Sequence, residues 1–468
     1  MVPPNNERGI EEMKVLHYMF GIPPVRGGGL IRYATDLMKA EQKRGIQTVL
    51  LIPGKIPYNA SQKIKIKRYG NYNGSVSYRI QNPLPIPMGN GILDIDAYTR
   101  AGGSREYSEF LKKLQPDLIH VHSLMGLQKE FLIEAQKLEI PVVFTTHDYF
   151  GLCPALNLMF GGDICQDKEW NYCELCCKNA YPMRKLQVEQ SGLYRFYRMN
   201  EWIVRLFHQG MLKNSFSQVR AAEMVPVTEV LPEKKCKDYS VLRNYYREMF
   251  GLIDYFHFNS SLTREIYEER LGELPGKVVP VSHQGIGDFR TEHTYGKTLK
   301  LGYLGNWTIN KGFYLLIQAL DELQKEGYTD IELHIYSQTE KRPEKYVRNH
   351  TNYSAEELPE VMNTFDVLVV PSLWKETYGL VVPEAISYGV PVIVSENVGA
   401  KDILEKHPQT GFLYDGSKDG LKQIITEIYK GRDVLTEANR AILSMDYDLS
   451  YDKHMENMLT LYRSILNS

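Results

Sequence analysis

The segment DVLVVPSLWKETYGLVVPEAISYGVPVIVS, residues 366–395, has the pattern of a strand, a loop, a helix and a second strand. Its first apolar run ends at Pro371, and a second short apolar run begins after Pro391. Proline fits a first helical turn, where its missing N–H leaves no hydrogen bond unmade, so Pro383 marks the expected start of the helix. A strand that continues through a helix into another strand predicts a parallel α/β sheet.

The amino end of the predicted helix faces the loop at 377–380, at the carboxyl end of a parallel strand. Free amides and the helix dipole favour an anion there, so the backbone of Gly379 and Leu380 is predicted to bind phosphate. Glu376 and Glu384 flank the loop, and a carboxylate is tolerated beside a phosphate when it points at a neutral sugar hydroxyl. The combination indicates a nucleotide sugar. The alternative is that Glu384 only complements the helix dipole while Glu376 is a solvated loop charge.

Length and charge limit the function classes. At 468 residues the chain is long enough for two or three domains, each with its own core. Its 55 Lys and Arg residues nearly balance its 57 Asp and Glu residues, so we expect no nucleic-acid partner. No apolar run is long enough to span a membrane, and the amino-terminal segment MVPPNNERGIEEMK lacks the apolar core of a signal peptide. We therefore expect a cytoplasmic protein.

The first half opens with a strand at 14–20, a helix at 30–44 and a second strand, which is a βαβ unit. A run of three glycines precedes the helix, and Gly28 and Gly29 are predicted to approach a ligand with their amides. The alternative is a tight turn without a ligand. Residues 53–104 are rich in proline and glycine, and they predict an acceptor-side surface built from loops.

Histidines occur in two strand motifs, PDLIHVHS and TTHDYFGLCP. His120 and His122 lie two residues apart on the first strand, and we interpret both as hydrogen-bonded core residues. His147 lies at the carboxyl end of the second strand, where ligands bind in this architecture. It is predicted to contact a sugar hydroxyl or the reacting centre, and the alternative is a capping role with Asp148.

Five of the six cysteines lie between positions 153 and 177. The spacing of Cys173 and Cys176 is that of a zinc knuckle, and Cys153 and Cys165 complete a set of four thiolate ligands. The pattern predicts a structural zinc ion. Stable disulfides are not expected in a reducing cytoplasm, so the alternative is a group of unpaired buried thiols.

Residues 178–220 are basic and contain an apolar stripe at helical spacing. The stripe consists of Leu193, Phe196, Tyr197, Ile203, Val204 and Phe207, and the residues roughly opposite are Arg195, Arg198, Trp202 and Arg205. We interpret the segment as an inserted helix that packs on the first domain with a solvated basic face. The alternative is an interfacial helix that brings the protein to an anionic membrane carrying a lipid-linked acceptor.

The second half repeats the alternation of strands and helices after a polar linker at 291–298, which predicts a second parallel sheet. Lys311 lies in the loop GNWTINKG just before a helix, where it can meet a diphosphate as a point charge or be a solvated helix start. The last helix, at 452–466, is predicted to pack on the first domain. The predicted domains are 1–290, with an insertion at about 151–250, then 291–445 and 446–468.

In this order, the glycine loop, HVHS, THD, GNWTINKG and the paired glutamates resemble the retaining glycosyltransferases of family four, which have the GT-B fold. The most specific part is PSLWKETYGLVVPEAISYGVPVI, which is similar to the family's donor-site signature. The cysteine cluster after THD resembles that of a bacterial subgroup. The resemblance implies two Rossmann-like parallel-sheet domains facing a cleft. It also implies a helical, cysteine-containing insertion in the first domain and a C-terminal helix that crosses back.

The resemblance also implies roles for the second-domain residues. Glu384 would hold the ribose hydroxyls of the nucleotide, and Glu376 would hold the hydroxyls of the donor sugar. Lys311 and the amides near Gly379 would hold the diphosphate. Enzymes of this type need no metal or other cofactor for catalysis, because the helix dipole and basic side chains stabilise the charge on the leaving diphosphate.

The first domain would complete the site, with Gly28 and Gly29 closing on the diphosphate and His147 contacting the sugar near the reacting carbon. The chain departs from the family at Asn306, where an arginine usually accompanies the lysine at the donor site. Either another basic residue substitutes, with Arg26 in the glycine loop as our candidate, or turnover is slow. No residue stands out as a covalent nucleophile, which fits a front-face mechanism with retention of configuration.

The sequence therefore predicts a retaining hexosyltransferase that moves a sugar from a nucleoside-diphosphate sugar to a hydroxyl of a glycan or lipid-linked saccharide. One alternative is a nucleotide-sugar epimerase or a phosphorylase, because a fold does not fix a reaction. Another is a non-catalytic subunit of a partner glycosyltransferase. Asn306 keeps that interpretation open, while the two glutamates and the lysine argue against it.

Overall fold

The computed structural model describes residues 13–56, 63–88, 91–200, 238–336, 341–446 and 448–467. It contains two α/β domains, each built around one sheet. The central strands are short apolar runs that are buried along their whole length, such as LIHV at 118–121 and VLVV at 367–370. Such runs are typical of parallel strands that are covered on both faces.

The first domain has a mixed sheet. Its strands are β1 (Lys14–Tyr18), β2 (Gln47–Pro53), β3 (Lys65–Tyr72), β4 (Ser75–Gln81), β5 (Leu118–Val121), β6 (Val142–Thr145), β7 (Met159–Phe160), β8 (Asp163–Ile164), β9 (Tyr255–Phe258) and β10 (Gly276–Val278). Eight of them form the sheet β10-β9-β6-β5-β1-β2-β4-β3, which is parallel except for the antiparallel pair β3 and β4. The described helices are α1 (Gly29–Gln42), α2 (Ile95–Tyr98), α3 (Ser104–Leu114), α4 (Lys129–Lys137), α5 (Cys173–Cys176), α6 (Met183–Glu189), α7 (Gly192–Met199), α8 (Ser240–Phe250) and α9 (Ser261–Leu271).

The second domain has a fully parallel sheet. Its strands are β11 (Leu299–Tyr303), β12 (Ile331–Tyr336), β13 (Val347–His350), β14 (Val367–Val370), β15 (Val392–Ser395) and β16 (Gly411–Tyr414). They lie in the order β13-β12-β11-β14-β15-β16. The helices that follow are α10 (Phe313–Lys325), α11 (Leu358–Met362), α12 (Val381–Ser387), α13 (Lys401–Lys406), α14 (Lys418–Lys430), α15 (Asp433–Ser444) and α16 (Tyr451–Leu466). As the sequence predicts, α12 begins just before Pro383.

The stretch at 53–104 differs from its prediction, because β3, β4 and α2 lie within a region expected to consist of loops. β3 has the sequence KIKRYGNY, and most of its residues are exposed at the edge of the sheet. The strand bulges between Arg68 and Gly70. A polar edge strand with a bulge carries no buried alternating pattern, so hydrophobic periodicity does not reveal it.

The C-terminal helix α16 packs on the first domain. The Tyr462 hydroxyl donates to Glu41 of α1 at 3.0 Å. His454 Nε2 lies 3.0 Å from the Tyr33 hydroxyl, and its Nδ1 donates to the Pro280 carbonyl at 2.8 Å. The last element of the chain is thus joined to the first helix by buried polar contacts as well as by its apolar stripe.

Helix α7 lies the other way round from our preferred interpretation. Leu193 and Phe196 point outward with 79% and 60% of their surface exposed. Arg195 points inward, and its guanidinium donates to the carbonyls of Pro53 and Gly54 at 3.0 and 2.5 Å. The carbonyls at the end of β2 accept hydrogen bonds from this arginine, and a leucine has no donor to offer them. The part of the stripe at 203–207 lies outside the described residues.

The two domains touch beside the cleft through the amino end of α9. Asp402 accepts hydrogen bonds from the Ser261 amide at 2.7 Å and its hydroxyl at 2.5 Å. Ser260 donates to the Thr377 carbonyl at 2.8 Å. A side chain at Gly399 would place its Cβ 2.3 Å from that carbonyl oxygen, so only glycine permits this approach.

Candidate active site

Two adjoining cavities lie at the carboxyl ends of β11 and β14, the strands between which the chain reverses its direction across the sheet. Ligands of open α/β sheets bind at such points. The larger cavity measures about 490 Å³, and its lining residues are Arg32, Gly285, Leu304, Gly305, Asn306, Lys311, Tyr336, Asn352, Tyr353, Ser354, Ala355, Leu358 and Glu384. The smaller one measures about 100 Å³, shares Lys311 with the first and reaches Glu376 and Leu380.

Glu384 lies in the first turn of α12 and is held by His283, from the segment that joins the domains. His283 Nε2 is 2.7 Å from Glu384 Oε1, and both side chains are largely buried. The Gly285 amide donates to His283 Nδ1 at 2.9 Å, so the ring proton lies on Nε2 and points at the carboxylate. This contact uses Oε1 and leaves Oε2 of Glu384 for a ligand hydroxyl.

Lys311 and Glu376 form an ion pair where the two cavities meet, with Nζ 2.5 Å from Oε1. The Ser372 hydroxyl donates to the other carboxylate oxygen at 2.6 Å. The ammonium also lies 5.4 Å from the centre of the Trp374 ring. The structure thus brings the two predicted residues together. Their roles toward a diphosphate and a sugar stay predictions.

Gly379 and Leu380 form the turn that leads into α12. Gly379 has a φ of 94°, in the left-handed region that favours glycine. A Cβ at this position would also lie 2.7 Å from a methyl carbon of Val398. Leu380 lines the smaller cavity. The turn therefore places backbone beside Glu376, and the binding of phosphate by its amides stays a prediction.

The candidate for the missing cation is wrong. Asn306 lines the larger cavity as expected, but Arg26 lies in a different pocket, with Arg79 and Arg195. The first-domain arginine that lines the cavity with Lys311 is Arg32. Arg26 follows a close turn at Ile22 that directs it toward the end of β2, away from the cleft.

Gly28 and Gly29 lie at the start of α1 and are exposed. Gly28 has a φ of 115°, and a Cβ at either glycine would meet no atom within 4 Å. Neither residue lines the larger cavity. The open space beside them is compatible with a ligand, and their predicted closing on the diphosphate stays a prediction.

His147 follows β6 at the boundary of the two domains. The Tyr33 ring packs edge-to-face against its imidazole at 4.7 Å, and the Thr377 hydroxyl donates to its carbonyl at 3.2 Å. Burial, together with His257 and His454, lowers the pKa of His147 well below its usual value, so the ring is neutral. Its buried Nε2 has no hydrogen-bond partner within the described residues. Because such an atom is costly, His147 stays a candidate for ligand contact.

His120 and His122 lie in the core, as we interpreted them, with 0% of their surface exposed. His122 Nε2 is 3.1 Å from His17 Nδ1, and His17 Nε2 is 2.7 Å from Glu41. His120 is bonded through Nδ1 to the Tyr462 hydroxyl at 2.6 Å and through Nε2 to a threonine of β6. The ligating atoms of the three histidines lie within 4.8 Å of one another. Both nitrogens of His17 and of His120 are hydrogen-bonded, whereas the buried Nδ1 of His122 has no hydrogen-bond partner within the described residues.

Asp148 caps the turn after His147. Its carboxylate accepts hydrogen bonds from the Phe150 amide and the Ser123 hydroxyl, both at 2.9 Å. Burial raises the pKa of Asp148 to about 6, against these two hydrogen bonds. The capping role that we offered as an alternative for His147 thus belongs to Asp148.

The cysteines of the insertion lie near one another. Burial and the neighbouring Cys153 and Cys165 raise the pKa of Cys176 to about 12. Burial, and to a smaller extent the neighbouring Cys153, also raises the pKa of Cys173. Within the described residues no three sulfurs lie within 4.8 Å of one another, so they have to approach further to bind one ion.

Sequence reasoning missed His283 and Arg32. His283 lies in SHQGIGDF, a segment at the domain junction that precedes the predicted linker at 291–298. Arg32 lies on the first turns of α1, after the glycine run. Two signals could have identified them. One is the pattern His-x-Gly-x-Gly at a domain boundary, and the other is a cation one turn after a glycine loop. Their meeting with Glu384 depends on how the domains pack.

Both domains match models of glycosyltransferase families. Residues 298–431 match the family described as glycosyl transferases group 1, and residues 27–177 match glycosyltransferase family 4. A 124-residue match, 32% identical, joins the chain to a probable glycogen synthase of Methanocaldococcus jannaschii. It covers 24% of this chain and 23% of that relative, so the chain matches less than a quarter of the relative's length.

Solved structures show the same architecture. Sucrose-phosphate synthase from Thermosynechococcus elongatus aligns with 97% of this chain and 99% of its own, with a TM-score of 0.55 and 14% identity. Anabaena Alr3699/HepE in complex with UDP-glucose aligns with 97% of this chain and 100% of its own, with a TM-score of 0.54 and 13% identity. The fold is therefore GT-B, as predicted. Among the described residues, no helix is both long and apolar enough to cross a bilayer.

Proposed function

We propose that this chain, whose two domain matches support a group 1 glycosyltransferase, transfers a hexose from a nucleoside-diphosphate sugar to a hydroxyl of a glycan or lipid-linked saccharide. The observation that carries the proposal is the clustering of three residues at the switch point of the second sheet. Lys311, Glu376 and Glu384 line two cavities that meet at the lysine.

Each of these groups suits one part of a nucleotide sugar. Glu384 has one oxygen fixed by His283 and the other free to accept from a ribose hydroxyl. Glu376 lines the smaller cavity, which has room for part of a sugar. Lys311 lines both cavities, and in the proposal its ammonium binds the diphosphate between them. Anabaena Alr3699/HepE, which shares the fold, has been solved in complex with UDP-glucose, and this supports a nucleotide-sugar donor.

The reaction breaks the bond between the anomeric carbon and the diphosphate oxygen, and it forms a bond from that carbon to the acceptor oxygen. The acceptor proton passes to an oxygen of the leaving diphosphate on the same face, which retains the configuration. Lys311 stabilises the charge that develops on the leaving group. His147, which is neutral, would donate or accept a hydrogen bond at the sugar.

The test is acceptor-dependent release of nucleoside diphosphate. UDP-, GDP- and ADP-hexoses are incubated with simple hexosides and with a polyprenyl-diphosphate saccharide, and the anomeric configuration of the product is read by NMR. We expect release with one donor only when acceptor is present, and a product of retained configuration. A new sugar formed without acceptor would indicate an epimerase. Nucleotide binding without transfer would indicate a non-catalytic subunit, the alternative that Asn306 keeps open.

Contact with an anionic membrane is part of the proposal, because α6 and α7 present apolar side chains outward. The exposed apolar residues are Val188, Leu193, Phe196 and Met199. The exposed cations Arg184 and Lys185 lie on α6, and no acid lies on α7. An apolar stripe flanked by cations matches a helix that lies in a lipid interface.

Flotation tests this contact. Wild-type protein should float with liposomes that contain phosphatidylglycerol and not with pure phosphatidylcholine. The double variant Leu193→Ser with Phe196→Ser should stay at the bottom, while Val241→Ser, an exposed valine on α8, should float. Absence of the wild type from both liposome fractions would remove the membrane from the proposal.

The proposal also includes a structural zinc ion, bound by Cys153, Cys165, Cys173 and Cys176. The four thiols are gathered in one insertion, and zinc binding would deprotonate them and draw the sulfurs together. Elemental analysis of protein purified without chelator should give one zinc per chain, and Cys176→Ser should lose it. Wild-type protein without stoichiometric zinc would contradict the site.

A further inference from the structure

The negative charge of a bound diphosphate has to be balanced by cations. The second domain contributes little net positive charge, although Lys311 lines the cavity. Lys311 is already paired with Glu376 at 2.5 Å, so the pair together is close to neutral. Asn306, on the same loop, lines the cavity without a charge. A diphosphate at this place therefore meets little net positive charge from this side of the cleft.

Arg32 supplies a cation from the other side. It lies in α1 of the first domain, it is exposed, and its side chain lines the cavity together with Lys311 and Glu384. Within the described part of the chain its guanidinium makes no hydrogen bond and no ion pair. Its charge and its N–H donors are thus available to a ligand.

The position of Arg32 is set by its neighbours. A Cβ at Gly285 would lie 3.3 Å from Arg32 Nη2 and 2.8 Å from His283 Cε1, so the guanidinium packs over this glycine. The same His283 donates to Glu384. Arg32 therefore approaches the cavity from the side of Glu384, while Lys311 approaches it from the side of Glu376.

We propose that Arg32 binds the diphosphate of the nucleotide sugar and stabilises it as it leaves, and so replaces the cation that Asn306 does not provide. The inference rests on the proposed function. The guanidinium donates two parallel N–H bonds to phosphate oxygens, an arrangement that an ammonium cannot make. Because Arg32 and Lys311 belong to different domains, a diphosphate held by both also holds the cleft closed.

Binding of nucleosides and nucleoside diphosphates separates a charge effect from a general loss of structure. Calorimetric titration is done with the diphosphate that wild type binds and with the corresponding nucleoside. Arg32→Ala should lower the affinity for the diphosphate at least tenfold and leave the affinity for the nucleoside unchanged. Arg32→Lys should recover part of the lost affinity. Arg68→Ala, an exposed arginine of the same domain, should behave as wild type.

A second variant tests the geometry. Gly285→Ala keeps every charge and places a methyl group against both His283 and Arg32 Nη2, so it should weaken the binding of the nucleoside, through Glu384, as well as that of the diphosphate. Unchanged diphosphate affinity in Arg32→Ala would overturn the inference and leave the proposed function standing. A wild-type protein that binds no nucleoside diphosphate would overturn both. Equal losses of nucleoside and diphosphate affinity in Arg32→Ala would also overturn the inference, since they would show a structural role for Arg32.

Discussion

Glu384, the proposed partner of the ribose hydroxyls, is held in one orientation by His283. His283 points its single ring proton at one carboxylate oxygen, because the Gly285 amide fixes the tautomer from the other side. The carboxylate is thus oriented without being paired to a full charge, and it can still accept from a neutral hydroxyl. Glu376, in contrast, shares its charge with Lys311.

Replacement of the three residues proposed to bind the donor tests these roles. We expect Glu376→Ala, Glu384→Ala and Lys311→Ala each to lower kcat/KM for the transfer at least tenfold, which corresponds to about 1.4 kcal/mol. Glu437→Ala, an exposed glutamate of α15, is the control. Wild-type kcat/KM in all three variants would refute the site.

Asp148 should give a measurable effect on stability. Burial raises its pKa to about 6 from an ordinary value of 3.8. The folded protein therefore holds this proton when the unfolded chain has lost it, and stability falls as the pH rises from about 4 to about 6. Asp148→Asn should remove this loss and raise the free energy of unfolding at pH 7 by up to about 3 kcal/mol. Urea unfolding at pH 4 and pH 7 measures it, and a variant that is less stable than wild type at both values would contradict the burial of the charge.

The residues found from the sequence are those whose neighbours along the chain supply the signal. Glu376 and Glu384 lie between a strand end and the first turn of a helix in one strand–loop–helix unit. Lys311 lies in another loop that leads from a strand into a helix. Arg32 and His283 acquire their meaning only when the two domains pack, because they meet Glu384 from distant parts of the chain. No pattern of local spacing encodes that meeting.

At the scale of elements, the amino end of α9 connects the domains. Asp402 of α13 accepts two hydrogen bonds from Ser261, which is the first residue of α9. Asp402→Ala should lower the free energy of unfolding by about 1 kcal/mol, as the loss of a helix cap does. Asp446→Ala, an exposed aspartate, is the control for urea unfolding. An unchanged midpoint in Asp402→Ala would show that this contact contributes nothing.

The elements that the sequence identifies are those with buried apolar runs or amphipathic stripes. The sequence does not reveal the edge strands β3 and β13, which read KIKRYGNY and VRNH. Most of their residues are exposed or half-buried, so these strands carry no apolar pattern. Helix α7 was found, but its orientation was reversed. Its apolar side would have faced the core in a helix that serves only packing, and here an arginine faces inward to satisfy carbonyls at the end of β2.

At the scale of the whole molecule, buried histidines tie α16 to the first domain. Burial lowers the pKa of His257 to about 4 and, together with His257, that of His454 to about 3. The unfolded chain binds these protons near pH 6.5, so stability is lost as the pH falls below that value.

At pH 5 the two histidines should cost about 2 kcal/mol each relative to pH 7.5. Asp148 works in the opposite direction over this range, and by less. Thermal unfolding should show a melting temperature that falls between pH 7 and pH 5. In His454→Gln, which keeps a donor for the Pro280 carbonyl, the fall should be shallower. An equal slope in both proteins would show that His454 does not remain neutral in the fold.

The GT-B architecture matters to the proposed function because the larger cavity is lined by residues of both halves. Calorimetric titration of wild type and Glu384→Ala with UDP, GDP and ADP is the most direct measurement of this claim. We predict that one diphosphate binds wild type with a Kd below about 1 mM, or roughly −4 kcal/mol, and binds Glu384→Ala at least tenfold more weakly. Binding that is equal in the two proteins, or absent with all three nucleotides, would contradict it.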